Sequence, residues 1–292
     1  MRIKMKIPPK KHMVMCAIAV LIVASLLLVT FWKKEKPLVY DIVVLGDSIV
    51  GNPLPDGATF PELVGEKLGV TVLNGGLGGT SMSMSARQLW GSIASTEWSM
   101  VKLAEAIAYD DWKSLKATMA YAQSYNEVNN QWLDYFQETM DYLYQVDFSQ
   151  VKVLVIEHGS NDYNGGVPLD NPEDKYDITT FGGALRRSLK LLIEAYPDMR
   201  ILIVSPMYCS LGENHDKKCY ENRYGNGGFL QEYVELEKEI AKEFGVEWLD
   251  AYHESGIWED NASEYLADCL HLNAKGHELL SDFLAEYLSE KK

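Results

Sequence analysis

"DIVVLGDS", residues 41–48, carries four consecutive apolar residues into Gly46, Asp47 and Ser48. An apolar run without polar alternation fits a strand covered on both faces, and Asp and Ser just beyond it fit a turn. This reading leaves Ser48 at the carboxyl end of a strand. Four similar runs follow: "VTVLNGG" (70–76), "VKVLVIEHG" (151–159), "RILIVSP" (200–206) and "VEWLDAY" (246–252). Helical periodicity occupies "FPELVGEKLG" (60–69), "TTFGGALRRSLKLLIEAYP" (179–197), "GFLQEYVELEKEIAKEFG" (228–245) and "NAKGHELLSDFLAEYLSE" (273–290). Strands alternating with helices predict an α/β fold, doubly wound about a mainly parallel five-stranded sheet. Ligands of such sheets bind beyond the carboxyl ends of the strands, where Ser48 stands.

One segment breaks the alternation. Residues 83–148 form an insert between the second and third strands, helical by pattern, with twelve aromatic residues that include Trp90, Trp98, Trp112 and Trp132. Indole rings are mostly buried, so the expectation is a helical hairpin packed on the sheet or on itself. The alternative is a cap over the site that presents rings such as Trp90 and Trp98 to a sugar or an acyl group.

The amino terminus has a different character. Residues 1–12 carry five basic residues and no acid, and residues 13–32, "MVMCAIAVLIVASLLLVTFW", hold no charge. Twenty apolar residues match one bilayer crossing, and the basic flank orients it with the amino terminus in the cytoplasm. The segment runs longer than a signal-peptide core and lacks a small-x-small cleavage site, which favours an uncleaved anchor over a cleaved signal. Residues 33–40 make a short linker, and residues 41–292 the extracytoplasmic domain.

Residues 1–36 hold 8 basic and 1 acidic residue, leaving 19 basic and 41 acidic residues beyond, a net charge of −22. Such a field repels polyanions, so nucleic acid is not expected as a partner. Cys209 and Cys219 bracket "CSLGENHDKKC", and an oxidising exterior would allow them to pair. Cys269 is expected as a small buried side chain.

Three further stretches hold polar chemistry. "NGGLGGTS" (74–81) is a glycine-rich turn whose backbone N–H groups can approach a ligand, "HGSND" (158–162) carries the amide of Asn161, and "DCLH" (268–271) spaces Asp268 and His271 three apart. Together with Gly46-Asp47-Ser48, these stretches resemble the SGNH hydrolases, the GDSL esterase/lipase family, over roughly residues 40–290 without the insert. The resemblance implies a flavodoxin-like fold, Ser48 as nucleophile, His271 as base and Asp268 as its orienting carboxylate. It also implies an oxyanion hole from the N–H of Ser48, the N–H of Gly79 and the amide of Asn161. Alignment on the family's Asn-x-Gly-x-x-Gly pattern selects Gly79 over Gly76 or Gly78.

The physical roles run parallel. A serine hydroxyl is a weak nucleophile near neutrality and needs an imidazole to take its proton, and that imidazole needs a carboxylate to hold its tautomer. Asp250 and His253 share the same spacing and are the rival pair. His271 is preferred because its block leads into the terminal helix as the family's does. His158 is a candidate substrate-lining residue, a hydrogen-bonded structural histidine being the favoured reading, while Asp47 and Asp162 are expected to brace turns. No histidine has zinc-like spacing with other ligands, so neither metal nor cofactor is expected. The sequence therefore reads as a membrane-anchored, outward-facing serine esterase, and the resemblance implies small acyl esters as its substrates, O-acetyl groups on cell-surface carbohydrate among them. An acyltransferase using the same site and a non-catalytic carbohydrate-binding surface protein are the alternatives.

Overall fold

A computed structural model describes residues 37–51, 57–84, 97–125, 130–211 and 217–291. The anchor expected at 13–32, its cytoplasmic flank, most of the linker and Trp90 lie outside the described residues. Among those described, no helix is long and apolar enough to cross a membrane.

The chain from Val39 onward forms one compact unit. It opens with β1 (Ile42–Gly46), α1 (Phe60–Leu68) and β2 (Val72–Gly76), and the insert then supplies α2 (Met100–Tyr109), α3 (Lys113–Tyr125) and α4 (Asn130–Leu143). β3 (Val153–Glu157), α5 (Ser160–Gly165), α6 (Phe181–Ala195) and β4 (Arg200–Val204) follow. A small hairpin of β5 (Ser210–Leu211) and β6 (Lys217–Lys218) precedes α7 (Leu230–Phe244), β7 (Glu247–Leu249), α8 (Ala251–Glu254), α9 (Ala262–Tyr265) and α10 (Ala274–Glu290).

The main sheet is wholly parallel in the order β2-β1-β3-β4-β7. Every residue of β1 and β3 is buried, whereas the edge strands β2 and β7 are partly open. That is why the central strands read as unbroken apolar runs. Alternate side chains enter two cores. Val43, Leu45, Leu154 and Ile156 face the side covered by α2, α4, α6 and α7, while Val44, Val155 and Val204 face α1 and α10. The chain leaves β1 towards β2 and returns across to β3, so the crevice between the carboxyl ends of β1 and β3 is the topological switch point. Ser48 and Asn161 follow those two strands directly.

Two expectations need correction. The last strand stops at Leu249 instead of reaching Tyr252, because the Asp250 side chain accepts the His253 N–H at 3.0 Å and caps the short helix α8. Trp98 and Trp112 are buried, as expected for a packed insert, while Tyr109, Tyr121 and Tyr142 are exposed. The correction falls on Trp98 as a lining residue: it is 1% exposed, meets Phe136 edge-on at 5.3 Å and directs its indole N–H to Leu115 O. Trp98 therefore belongs to the core that the insert shares with the sheet and does not line an open site.

Candidate active site

The turn after β1 is tight for identifiable reasons. Asp47 Oδ1 accepts the Ile49 N–H at 2.9 Å and Asp47 O accepts the Gly51 N–H at 2.9 Å, which reverses the chain just past Ser48. The glycine turn after β2 lies against it. Leu77 N–H donates to Gly46 O at 2.8 Å, and Asn74 donates to Val50 O at 3.0 Å while accepting the Gly76 N–H at 3.0 Å. A Cβ on Gly76 would stand 2.4 Å from Gly51 N, so the two turns touch backbone to backbone. The insert reaches this junction through Tyr135, whose hydroxyl donates to Gly76 O.

Gly79 has φ +76, a conformation that suits glycine, and the space where its Cβ would stand is open. Among the described residues, neither the Ser48 N–H nor the Gly79 N–H has a protein acceptor.

After β3, Gly159 at φ +129 turns the chain into α5 and delivers Asn161 and Asp162. Asp162 holds the segment beyond the glycine turn through Met82 N–H at 2.7 Å, Ser83 N–H at 3.1 Å and the Ser83 hydroxyl at 2.5 Å. Asn161 donates from Nδ2 to Asp47 Oδ2 at 3.0 Å and to Thr80 O at 2.8 Å. Both amide hydrogens are engaged, so Asn161 can meet an oxyanion only by exchanging one of these bonds. Asp47 and Asp162, expected only to brace turns, thus also tie the serine turn, the glycine turn and the start of α5 into one buried network.

The fourth element arrives from far along the chain. Asp268 Oδ1 accepts the N–H groups of Leu270 and His271, each at 2.7 Å, and Ala267 N–H donates to His271 O at 2.8 Å. This closed loop holds the His271 ring with Nδ1 2.8 Å from Asp268 Oδ2 and Nε2 2.9 Å from Ser48 Oγ. A carboxylate only accepts, so Nδ1 carries the proton and Nε2 is left to accept from the serine. Burial works to raise the Asp268 carboxyl, but the ring and backbone donors of His271 and the Leu270 N–H outweigh it and hold it below the ordinary value. The rival His253 makes the analogous contact to Asp250 Oδ2 at 2.9 Å, yet it is His271 that reaches Ser48. Its pairing is an exposed helix-terminal contact.

Behind the serine the environment is acidic and buried. Burial pushes the Asp47 carboxyl up to about 7, against the Ile49 N–H and the His271 ring, and pushes Asp162 up to about 6. Glu157 is raised further by burial and by repulsion from Asp47 and Glu237. His158 is completely buried, burial drives its ring down to about 3, and neither ring nitrogen has a partner among the described residues. His158 is therefore a neutral core residue and does not line an open surface, a second correction to the substrate-lining set. Two surface cavities, of about 440 and 390 Å3, lie along α4 and between α7 and Leu169, and neither is lined by Ser48 or His271.

A model of the GDSL-like lipase/acylhydrolase family matches residues 44–279. The chain belongs to that family. The match begins in β1 and ends in α10, so it embraces all four motif stretches and the insert. No curated protein matches. A crystal structure of a protein from Lactobacillus plantarum shares 20% identity with this GDSL-family chain over 86% of it and 97% of the other, with a TM-score of 0.58. A protein of Chitinophaga pinensis described as a possible lipase shares 17% over 85% and 97%, with a TM-score of 0.52. At such identities the likeness bears on the fold alone. Est24, a carbohydrate acetylesterase of Sinorhizobium meliloti, overlaps at 15% identity over 86% and 99% with a TM-score of 0.49, too loose a likeness to speak for this chain.

Proposed function

We propose that this GDSL-family hydrolase is a serine esterase acting on small acyl esters through Ser48, His271 and Asp268. The 2.9 Å contact between Ser48 Oγ and His271 Nε2, with Asp268 behind the ring, carries the reading. Ser48 Oγ attacks the ester carbonyl carbon while its proton passes to His271 Nε2, and Asp268 stabilises the imidazolium. The carbonyl oxygen, now negative, is met by the N–H groups of Ser48 and Gly79, with Asn161 joining as it releases Thr80 O. Loss of one such donor costs about 3–4 kcal/mol of transition-state stabilisation. Collapse breaks the bond to the leaving alcohol, which takes the proton from His271 and leaves an acyl group on Ser48. Water, deprotonated by the same ring, then attacks the acyl-enzyme and restores the hydroxyl.

The substrate class we favour is an acetylated carbohydrate at the cell surface. Support comes from the apolar segment at 13–32 with its basic flank, which would hold the domain outside and close to the membrane, and from the acidic surface, which disfavours polyanionic polymers. An acyl-ester panel run on wild type and Ser48→Ala, together with fluorophosphonate labelling, tests the reading. Turnover of acetylated sugars and a Ser48 adduct, both lost in the variant, are expected. Hydrolysis confined to long-chain lipids would remove the substrate class, and absence of a Ser48 adduct would remove the mechanism.

A further inference from the structure

The β5–β6 hairpin was not foreseen from the sequence, and it brings two thiols face to face. Its register pairs Ser210 with Lys218 and Leu211 with Lys217, so the next rung places Cys209 opposite Cys219, where Cys219 N–H donates to Cys209 O at 3.1 Å. Directly opposed residues of antiparallel strands have Cα atoms about 4.5–5.5 Å apart, inside the range a disulfide spans. The side chains also converge: Cys209 N–H points at Cys219 Sγ from 3.5 Å, and the Tyr252 hydroxyl approaches the same sulfur at 3.7 Å. Both cysteines are fully buried and both are free thiols.

The hairpin also grips the loop described above. Ser210 N–H, one residue beyond Cys209, donates to Cys269 O at 3.0 Å, and Cys269 sits between Asp268 and His271. We propose that Cys209 and Cys219 form a reversible disulfide that fastens this hairpin against the loop carrying Asp268 and His271.

Within the fold the two thiols are unequal. The hydrogen bond from Cys209, opposed by burial, brings the Cys219 thiol down to about 7, and the same contact drives the Cys209 thiol well up. With a small disulfide such as oxidised glutathione as oxidant during refolding, one of the two cysteine thiolates attacks one sulfur and expels the other as thiolate. The second cysteine, giving up its proton, then attacks the first one's Sγ in the mixed disulfide and expels the second glutathione thiolate. The two cysteines lose two electrons and two protons, and the oxidant becomes two thiols. Cys269 is the competing partner, since its thiol is only partly buried and lies in the adjacent segment.

The test equilibrates the purified full-length chain in excess oxidised or reduced glutathione, starting from denaturant so that the buried sulfurs are reached. A mass loss of 2 Da, a linked Cys209–Cys219 peptide, a Tm higher by roughly 5–10 °C and slower amide exchange at Ser210 by about tenfold are expected in the oxidised form. Cys269→Ser should keep all four responses, and the Cys209→Ser/Cys219→Ser double variant should lose them. Four alkylatable thiols in the refolded oxidised protein, instead of the two of Cys16 and Cys269, or a link through Cys269, would overturn the bond. A correct link with unchanged exchange at Ser210 would overturn the fastening. A several-fold rise of kcat on oxidation is a further expectation that rests on the proposed esterase reading. A chain with no esterase activity would sink that reading and leave the peptide map and the exchange rate to decide the disulfide.

Discussion

Asn161 Nδ2 lies 3.0 Å from Asp47 Oδ2, so the amide expected to meet substrate is held by the residue directly before Ser48. The carboxylate is filled from both sides, because its other oxygen accepts the Ile49 N–H. Asp47→Asn keeps the shape but offers one acceptor oxygen and one donor, so either Ile49 or Asn161 faces another N–H. A buried donor left without its acceptor costs roughly 1–3 kcal/mol. The variant should unfold at lower urea by that amount and lose about 10–100-fold in kcat, read by equilibrium unfolding and steady-state kinetics. A kcat equal to wild type would show that the Asp47 to Asn161 contact does not serve the site.

His271 and His253 each pair with a carboxylate three residues earlier, and one of them reaches Ser48. His271→Ala should lower kcat by about 10^4-fold or more, as loss of an essential base does in serine hydrolases. His253→Ala should stay within about twofold. The reverse ranking would assign the base to Asp250 and His253.

Gly76 and Gly79 share one turn and should respond differently to the same methyl group. In Gly76→Ala the new Cβ meets the Gly51 backbone at 2.4–2.7 Å, and backbone does not yield as a side chain does. A loss of about 3 kcal/mol or more is expected from such overpacking. Gly79→Ala places its Cβ in open space and bears only the strain of a left-handed conformation, about 1–2 kcal/mol. Denaturant midpoints of the two variants decide it, and equal losses would contradict the geometry.

His277 joins α10 to α1 by accepting the Phe60 N–H on Nδ1 at 3.1 Å, and burial lowers its ring to about 4. The folded protein needs the neutral ring, while the unfolded chain protonates near the ordinary value of 6.5. The contribution of His277 is therefore fully present above about pH 6.5 and is lost as pH falls towards 4. His277→Gln, which keeps an acceptor and cannot be protonated, should be less stable than wild type at pH 7.5 and close most of that gap by pH 4.5. Unfolding curves for both proteins across this range provide the check, and a gap that widens on acidification would reverse the assignment.

Much of the fold was legible because burial on both faces leaves a plain mark: Ile42 to Leu45 and Val153 to Ile156 read as continuous apolar runs, and the five runs became the five parallel strands. The same mark was weak where local hydrogen bonding decides. Asp250 ended the last strand by capping α8, and the β5–β6 hairpin is two residues per arm, too short for any periodicity to register. The burial favoured for Trp98 and His158 holds, and their candidacy as lining residues fails, because residue type alone does not say which way a ring faces.

The sequence by itself determined the alternation of strands and helices, the apolar amino-terminal run, the acidic surface and the four polar stretches, all of them properties of neighbours along the chain. Only the tertiary structure decided which histidine meets Ser48 and that Asn161 is tethered to Asp47 and Thr80. Those are relations between residues 81 to 223 positions apart, set by parallel crossovers that return each turn to the same end of the sheet, and no local pattern records the distance between them.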